Sequence, residues 1–320
     1  MKSLEQIIQE AENNKVAIGH FNISSFEQLK AIFEAGQELS KIKNEKIPLI
    51  IGTSEGEGNY VGFRQAAALV KSLKEEFDYP IFTNADHIHS LEKIKEAAEA
   101  GYDAVIFDAS ELTFEENIKK TKEAVEFIKS INPEILVEGE IGFIGSSSKI
   151  LKEIPKGAAI KLDDLTKPEE AKRFIEETKV DLLSPAVGNI HGMFLASART
   201  QINADNISVN QHNHQRESAS MAYMNPSLDI QRIRDIKKAV KIPLVLHGGS
   251  GVTNEDFIAA IDAGISIIHI NTEIRLAWRQ ALQKSLEDNP EEIAPYKIMS
   301  EVIAEMKKIV AEKLRIFNKI

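Results

Sequence analysis

The sequence predicts a (β/α)8 barrel, and three observations predict it. Eight short β-rich runs alternate with longer helical patterns. Polar residues able to do chemistry gather at the C-terminal ends of those runs, where a barrel keeps its site. No glycine fingerprint follows the first run, as the structural alternative, a doubly wound dinucleotide-binding sheet, would require. A chain of 320 residues that is 43% hydrophobic can bury such a core. It reads as one domain over 1–320, with a long polar insert at about 195–227.

The predicted strands run, in order, Val16–Asn22, Pro48–Ser54, Pro80–His87, Asp103–Ser110, Ile135–Gly142, Val180–Gly188, Pro243–Gly249 and Ile265–Asn271. Between them, segments such as "SLEKIKEAAEAG" and "TNEDFIAAIDAG" repeat apolar residues every three or four positions. Each is entered through Ser or Thr and closed by Gly, the residues that cap helices. The N-terminal "MKSLEQIIQEAENNK" reads as an acidic amphipathic helix and not as a signal peptide. Two stretches are irregular. "IGSSSKILKEIPKGAAIKLDDL" follows the fifth strand and reads as mobile, with Asp164 and Thr166 marking the approach of the next helix. The insert after the sixth strand is rich in Asn and Gln and holds His212 and His214; it reads as a polar lid or subunit contact.

Charge and composition exclude several functions. A formal net charge of −10 without a basic block argues against nucleic acid and anionic membranes as partners. The absence of cysteine excludes disulfides, thiolate catalysis and Cys-ligated zinc, and accords with a cytoplasmic location. No apolar run is long enough to span a bilayer.

The strand ends carry the functional signal. Asp86 and His87 end the third, Asp108 the fourth and His247 the seventh, while His191 follows the sixth. Glu138 and Glu140 lie two apart in the fifth and so face one side. His269 and Asn271 end the eighth. Each residue alone is more often a cap or a solvated carboxylate than a ligand. Several imidazoles converging with carboxylates match a catalytic zinc site, which has three protein ligands and one open position. No strand carries a Lys in its C-terminal half, which argues against Schiff-base chemistry. After the seventh strand, "HGGSGVTNEDF" offers Gly248, Gly249 and Gly251 for close backbone approach to an anion, with Ser250 and a helix N-terminus beside them. Asp86 and His87 are sequential, so both serve one site only if the strand bends there. "HIH" (His87 to His89) leaves a metal-dependent hydrolase open as a rival, and a non-catalytic metal- or sugar-phosphate-binding protein is a second.

These motifs carry a family likeness. "GHFNISSFEQLKAIFEAG", "NADHIHS", "VIFDAS", "VEGEIGFIG", "VGNIHGMF", "LHGGSGV", "NTEIR" and the closing "KIMSEVIAEMKKIVAEKLRIF" resemble the class II, zinc-dependent fructose-bisphosphate and tagatose-bisphosphate aldolases. The resemblance spans nearly the whole chain in the right order. It implies that His87, His191 and His247 hold zinc, that Asp86 is the acid/base group, and that Asp108 and Glu140 serve a second or displaced metal position. It also implies phosphate contacts at Gly192, Gly248, Gly249 and Ser250, with Asn271 and Thr272 beside them and substrate contacts at Asn22, Ser54 and position 269. The expected activity is reversible cleavage of a phosphorylated ketose by a homodimer or homotetramer, with a monovalent cation (Na+ or K+) near the phosphate.

The chain also departs from the family pattern. The family's Lys-x-Asn-x-x-Thr around the eighth strand becomes Ile267, His269 and Thr272. The basic residue usual after the sixth-strand "HG" is missing, and the loop after the fifth strand is rebuilt. These changes predict a divergent member, with another sugar phosphate or another lid.

Overall fold

The computed structural model describes residues 2–145, 148–153, 155–159, 161–195, 223–224 and 227–320. Its centre is a closed barrel of eight parallel strands. These are β1 (Ile18–Asn22), β2 (Leu49–Ser54), β3 (Ile81–Ile88), β4 (Ala104–Phe107), β5 (Leu136–Ile141), β6 (Leu182–Pro185), β7 (Leu244–Leu246) and β8 (Ile265–Ile270). Each strand pairs with its sequence neighbour, and β1 closes the ring on β8 with His20 opposite His269. All eight predicted runs became strands, with ends shifted by a few residues.

The helices start and stop where their caps dictate. Ser90 accepts a hydrogen bond from Lys93 N at the head of Leu91–Ala100, and Gly101 ends it at φ 87°. Thr253 does the same for Asn254–Ala263 through Asp256 N. Thr166, expected to mark a helix start, is instead a buried tie. Its hydroxyl donates to Ile141 O at 2.9 Å and accepts from Ala186 N at 2.9 Å. The helix itself begins one residue past Lys167, at Pro168, whose missing N–H costs nothing there.

Strand period two sorts each strand into layers. Ile18, Ile50, Phe82, Ala104, Leu136, Leu182, Val245 and Ile267, one from each strand, form an apolar floor. Leu4, Ile8 and Ala11 of the N-terminal helix (Leu4–Asn14) seal it from below. Ile267, where the resemblance leads one to expect Lys, is therefore floor. Two residues further along β1, β5 and β8 the interior turns polar: His20, Glu138 and His269 stand above the floor, all buried. A second, larger core lies between the outer faces of the strands and the surrounding helices.

Outside the barrel, Ile150–Leu151 pairs with Met193–Leu195, which pairs with Tyr223–Met224. The loop after β5, read as mobile, thus contributes a strand to a small sheet beside the mouth. Most of the polar insert, including His212 and His214, lies outside the described residues. No helix among the described residues is long and apolar enough to cross a membrane.

Candidate active site

The bend that the sequence required at the end of β3 is a β-bulge. Ala85 stands opposite Val105 and Ile88 opposite Phe107, so Asp86 and His87 together face the single Ile106. His87 takes φ 49°, a left-handed conformation rare for a residue with a Cβ. Such a conformation costs about 1–3 kcal/mol, and the surrounding structure must impose it. The bulge cancels the strand alternation and turns both side chains to the barrel mouth, with His87 Nε2 3.8 Å from Asp86 Oδ1.

Three imidazoles and one carboxylate converge there. Donor atoms of His87, Glu140, His191 and His247 all lie within 4.8 Å of one another. The three rings meet edge to face, with centroids 4.7, 4.8 and 5.7 Å apart. Close approach of the loops after β6 and β7 makes this possible. Gly248 sits at φ 61°, and a Cβ there would lie 2.4 Å from Ile190 O.

The donor set fits a metal ion. His87 Nε2, His191 Nε2, His247 Nδ1 and Glu140 Oε2 are buried without hydrogen-bond partners among the described residues. His247 Nδ1 and Glu140 Oε2 lie 3.0 Å apart yet are not aligned to bond. That is the arrangement of two ligands sharing a point. The opposite ring nitrogens are held by carboxylates: Asp108 Oδ2 is 2.7 Å from His87 Nδ1, and Glu138 Oε1 is 2.8 Å from His247 Nε2. Such partners fix ring orientation and tautomer.

Without a metal, the cluster's charges fall on the rings unevenly. Burial and the neighbouring His87 and His247 hold His191 well below the usual imidazole range, so it is the neutral, ligating form. Burial also pulls His87 down, but Asp86, Asp108 and Glu140 outweigh it and raise it to about 9. For His247, Glu138 and Glu140 likewise outweigh burial and hold it well above that range.

Asp86 is held at one oxygen only. Its Oδ2 accepts from Asn22 Nδ2 at 2.8 Å, and its Oδ1 has no partner among the described residues. The same Asn22 amide donates to Glu57 Oε2 at 2.8 Å, and Glu57 pairs with Arg275. A cavity of about 250 Å³ opens above, lined by Asn22, Ser54, Asp86, His87, Asp108, His191, Gly192, Gly248, Ser250, His269, Asn271, Thr272 and Arg275 among others. Ser250 Oγ accepts from Asn271 N and Glu273 N, both at 3.3 Å, which ties the loop after β7 to the helix Thr272–Asp288.

Most of the expected residues thus meet in one place, and a few stand elsewhere. Asp108 is outside the group of four, holding His87 with one oxygen and Ser110 with the other. Gly249 gives its N–H to His269 O at 3.1 Å and does not line the cavity. His89 lines the cavity but turns Nδ1 to Asp108 O at 3.0 Å and joins no ligand group among the described residues. Sequence reasoning missed His20, Glu57 and Arg275 as parts of the site. Glu57 had no signal beyond its capping box with Ser54. His20 and Asn22 share the two-residue spacing of Glu138 and Glu140, and that signal could have found His20.

Fold and site together define a metal-dependent barrel aldolase, a lyase. The family described as fructose-bisphosphate aldolase class-II matches residues 2–320. The fructose-bisphosphate aldolase of Geobacillus stearothermophilus is 31% identical over 319 residues, 99% of this chain and 96% of that one. That of Staphylococcus aureus (strain Mu50) is 30% identical with the same coverage. The crystal structure of the YdjI aldolase from Escherichia coli K12 superposes with a TM-score of 0.72 at 28% identity, over 99% of this chain and 97% of that one. The chain belongs to the class-II fructose-bisphosphate aldolase family.

Proposed function

We propose that this enzyme reversibly cleaves a phosphorylated ketose, fructose 1,6-bisphosphate or a related sugar phosphate, to dihydroxyacetone phosphate and an aldehyde, with zinc as its metal. One observation carries the reading: Asp86 presents an unpartnered oxygen beside the His87–His191–His247–Glu140 cluster, and Asp86, His87 and His191 line one cavity. An imidazole-rich donor set suits zinc. His87, His191 and His247 would hold it with Glu140, and bound zinc supplies Lewis-acid withdrawal of electrons from a substrate oxygen.

The protein's own groups do the rest. Asp86 Oδ1 takes the proton of the hydroxyl on the carbon that becomes the aldehyde as the carbon–carbon bond breaks. The bond's electron pair passes to the ketone half as an enediolate. Its carbon takes a separate, solvent-exchangeable proton to give dihydroxyacetone phosphate, and both transfers reverse in condensation. Asn22 keeps Oδ2 occupied, so one oxygen alone is offered to that proton. Gly192, Gly248, Ser250 and Thr272 surround the substrate phosphate at the loops after β6, β7 and β8, the barrel's usual anion site. Asn271 Oδ1, buried and unpartnered, suits a monovalent cation beside it. Arg275, drawn toward Glu57 behind β2, adds positive charge at the cavity wall. Ser54 and His269 line the space between. Proximity and orientation from these contacts are the fold's contribution to rate.

The test is direct. Zinc-loaded protein is incubated with fructose 1,6-bisphosphate, tagatose 1,6-bisphosphate and ketose monophosphates, and dihydroxyacetone phosphate is followed. Chelation should abolish release and zinc restore it. Zinc binding with no cleavage of any of them would overturn the reading. A cytoplasmic location and a homodimer or homotetramer go with it; fractionation and light scattering test these.

A further inference from the structure

His20 and His269 occupy opposite positions on β1 and β8. Their rings stack with centroids 3.5 Å apart and planes 2° from parallel. His269 is covered on its other side by His247, at 4.1 Å and 27°. His20 is completely buried, and neither of its ring nitrogens has a hydrogen-bond partner among the described residues. Its slot is built for a flat group, since a Cβ on Gly52 would meet His20 Cε1 at 2.2 Å. His269 alone of the two reaches the cavity, and its Nδ1 lies 3.6 Å from Asp86 Oδ1, the oxygen that Asn22 leaves open.

His20, Asp86 and His269 also form a group of potential metal ligands. The stacking argues against that use. Imidazole lone pairs lie in the ring plane, and two parallel planes 3.5 Å apart do not aim at one point. What parallel stacking does accomplish is to fix the tilt of one ring by the face of another.

Resting on the aldolase reading above, we propose that His20 and His269 act as one unit that positions Asp86. His269 is a positioning residue, whose Nδ1 edge faces the working oxygen of Asp86 and confines the carboxylate to one rotamer. His20 is its backing and acts through ring contact alone. Asn22 then holds one carboxylate oxygen and His269 confines the other. A side chain displaced by about 1 Å from productive geometry can cost 10²-fold in rate.

The experiment uses the zinc-loaded full chain and two readouts of one reaction. Condensation of dihydroxyacetone phosphate with an aldehyde needs the proton held by Asp86. Exchange of the substrate's carbon-bound hydrogen with deuterium from solvent, followed by NMR on dihydroxyacetone phosphate alone, does not need Asp86 in that role. His269→Ala and His20→Ala should each slow condensation about 10–100-fold. In His20→Ala, whose altered residue does not line the cavity, hydrogen exchange should stay within about threefold, with zinc content and KM for dihydroxyacetone phosphate unchanged. His20→Gln, whose flat amide refills the slot above Gly52, should recover condensation to near the parent rate. The double variant His20→Ala, His269→Ala should be no slower than His269→Ala, because the two act as one unit. Parallel loss of exchange and condensation in His20→Ala, additive losses in the double variant, or His20→Gln as slow as His20→Ala would each overturn the proposal. A parent protein that exchanges no hydrogen of dihydroxyacetone phosphate removes the aldolase reading, and this proposal with it.

Discussion

Replacing Glu138 tests the architecture of the metal cluster without touching a ligand. Glu138 is 1% exposed and His247 is fully buried, so their 2.8 Å contact is not diluted by solvent. With zinc bound, the contact keeps a hydrogen on His247 Nε2 and leaves the Nδ1 lone pair to the metal beside Glu140. Loss of such an outer partner weakens metal binding 10–100-fold, about 1.4–2.8 kcal/mol. Glu138→Gln keeps an oxygen that can accept from Nε2 but loses the charge, and charge-assisted bonds are about twice as strong as neutral ones. It should fall near the tenfold end. Glu138→Leu leaves a buried N–H unpaired, which costs about 1–3 kcal/mol by itself and lets the hydrogen move to the wrong nitrogen. It should fall near the hundredfold end. Competition against a chelator of known affinity at fixed pH reads both constants, and circular dichroism confirms folding. Zinc held as tightly by Glu138→Leu as by the parent would refute the argument. So would a larger loss in Glu138→Gln than in Glu138→Leu.

Other expectations follow from the same geometry. Asp86→Asn should keep zinc affinity within about threefold and lower cleavage about 10²–10⁴-fold, read by chelator competition and steady-state kinetics. In the metal-free protein His87 is raised to about 9, above its usual 6.5, so zinc uptake below that pH should release its proton. Calorimetry in buffers of different ionisation enthalpy measures the release, which should shrink as pH passes 9. The same raised value contributes to metal-free stability fully below pH 6.5, and that contribution is lost as pH rises through about 9; melting curves across this window check the sign. Gly248→Ala should lose zinc as well as activity, because its Cβ would press on Ile190 O and separate His191 from His247. Arg275→Met leaves the buried Glu57 without its cation. A loss of about 1–2 kcal/mol is expected, reduced from the buried-pair range because Arg275 is 39% exposed, together with a higher KM for the ketose.

Much of this protein can be read along the chain because it depends on near neighbours. Strand runs, helix caps and the two-residue spacing of Glu138 and Glu140 are local, and each appears in the fold as expected. The alignment of metal-capable residues at strand ends is local too, once a barrel is assumed. Three features are not local. The bulge that lets Asp86 and His87 share the mouth is a mismatch in register between β3 and β4, and no property of either strand alone reveals it. The contact that holds Asp108 against His87 at 2.7 Å, beside the group of four, joins residues of two different strand ends. The stack of His20 on His269 exists because barrel closure pairs the first strand with the last. By itself the sequence determined which residues face inward and at which end of the barrel they stand, because strand periodicity and capping act over a few residues. Tertiary structure alone decided which inward residues touch, because register, bulge and ring closure are relations between strands far apart in the chain.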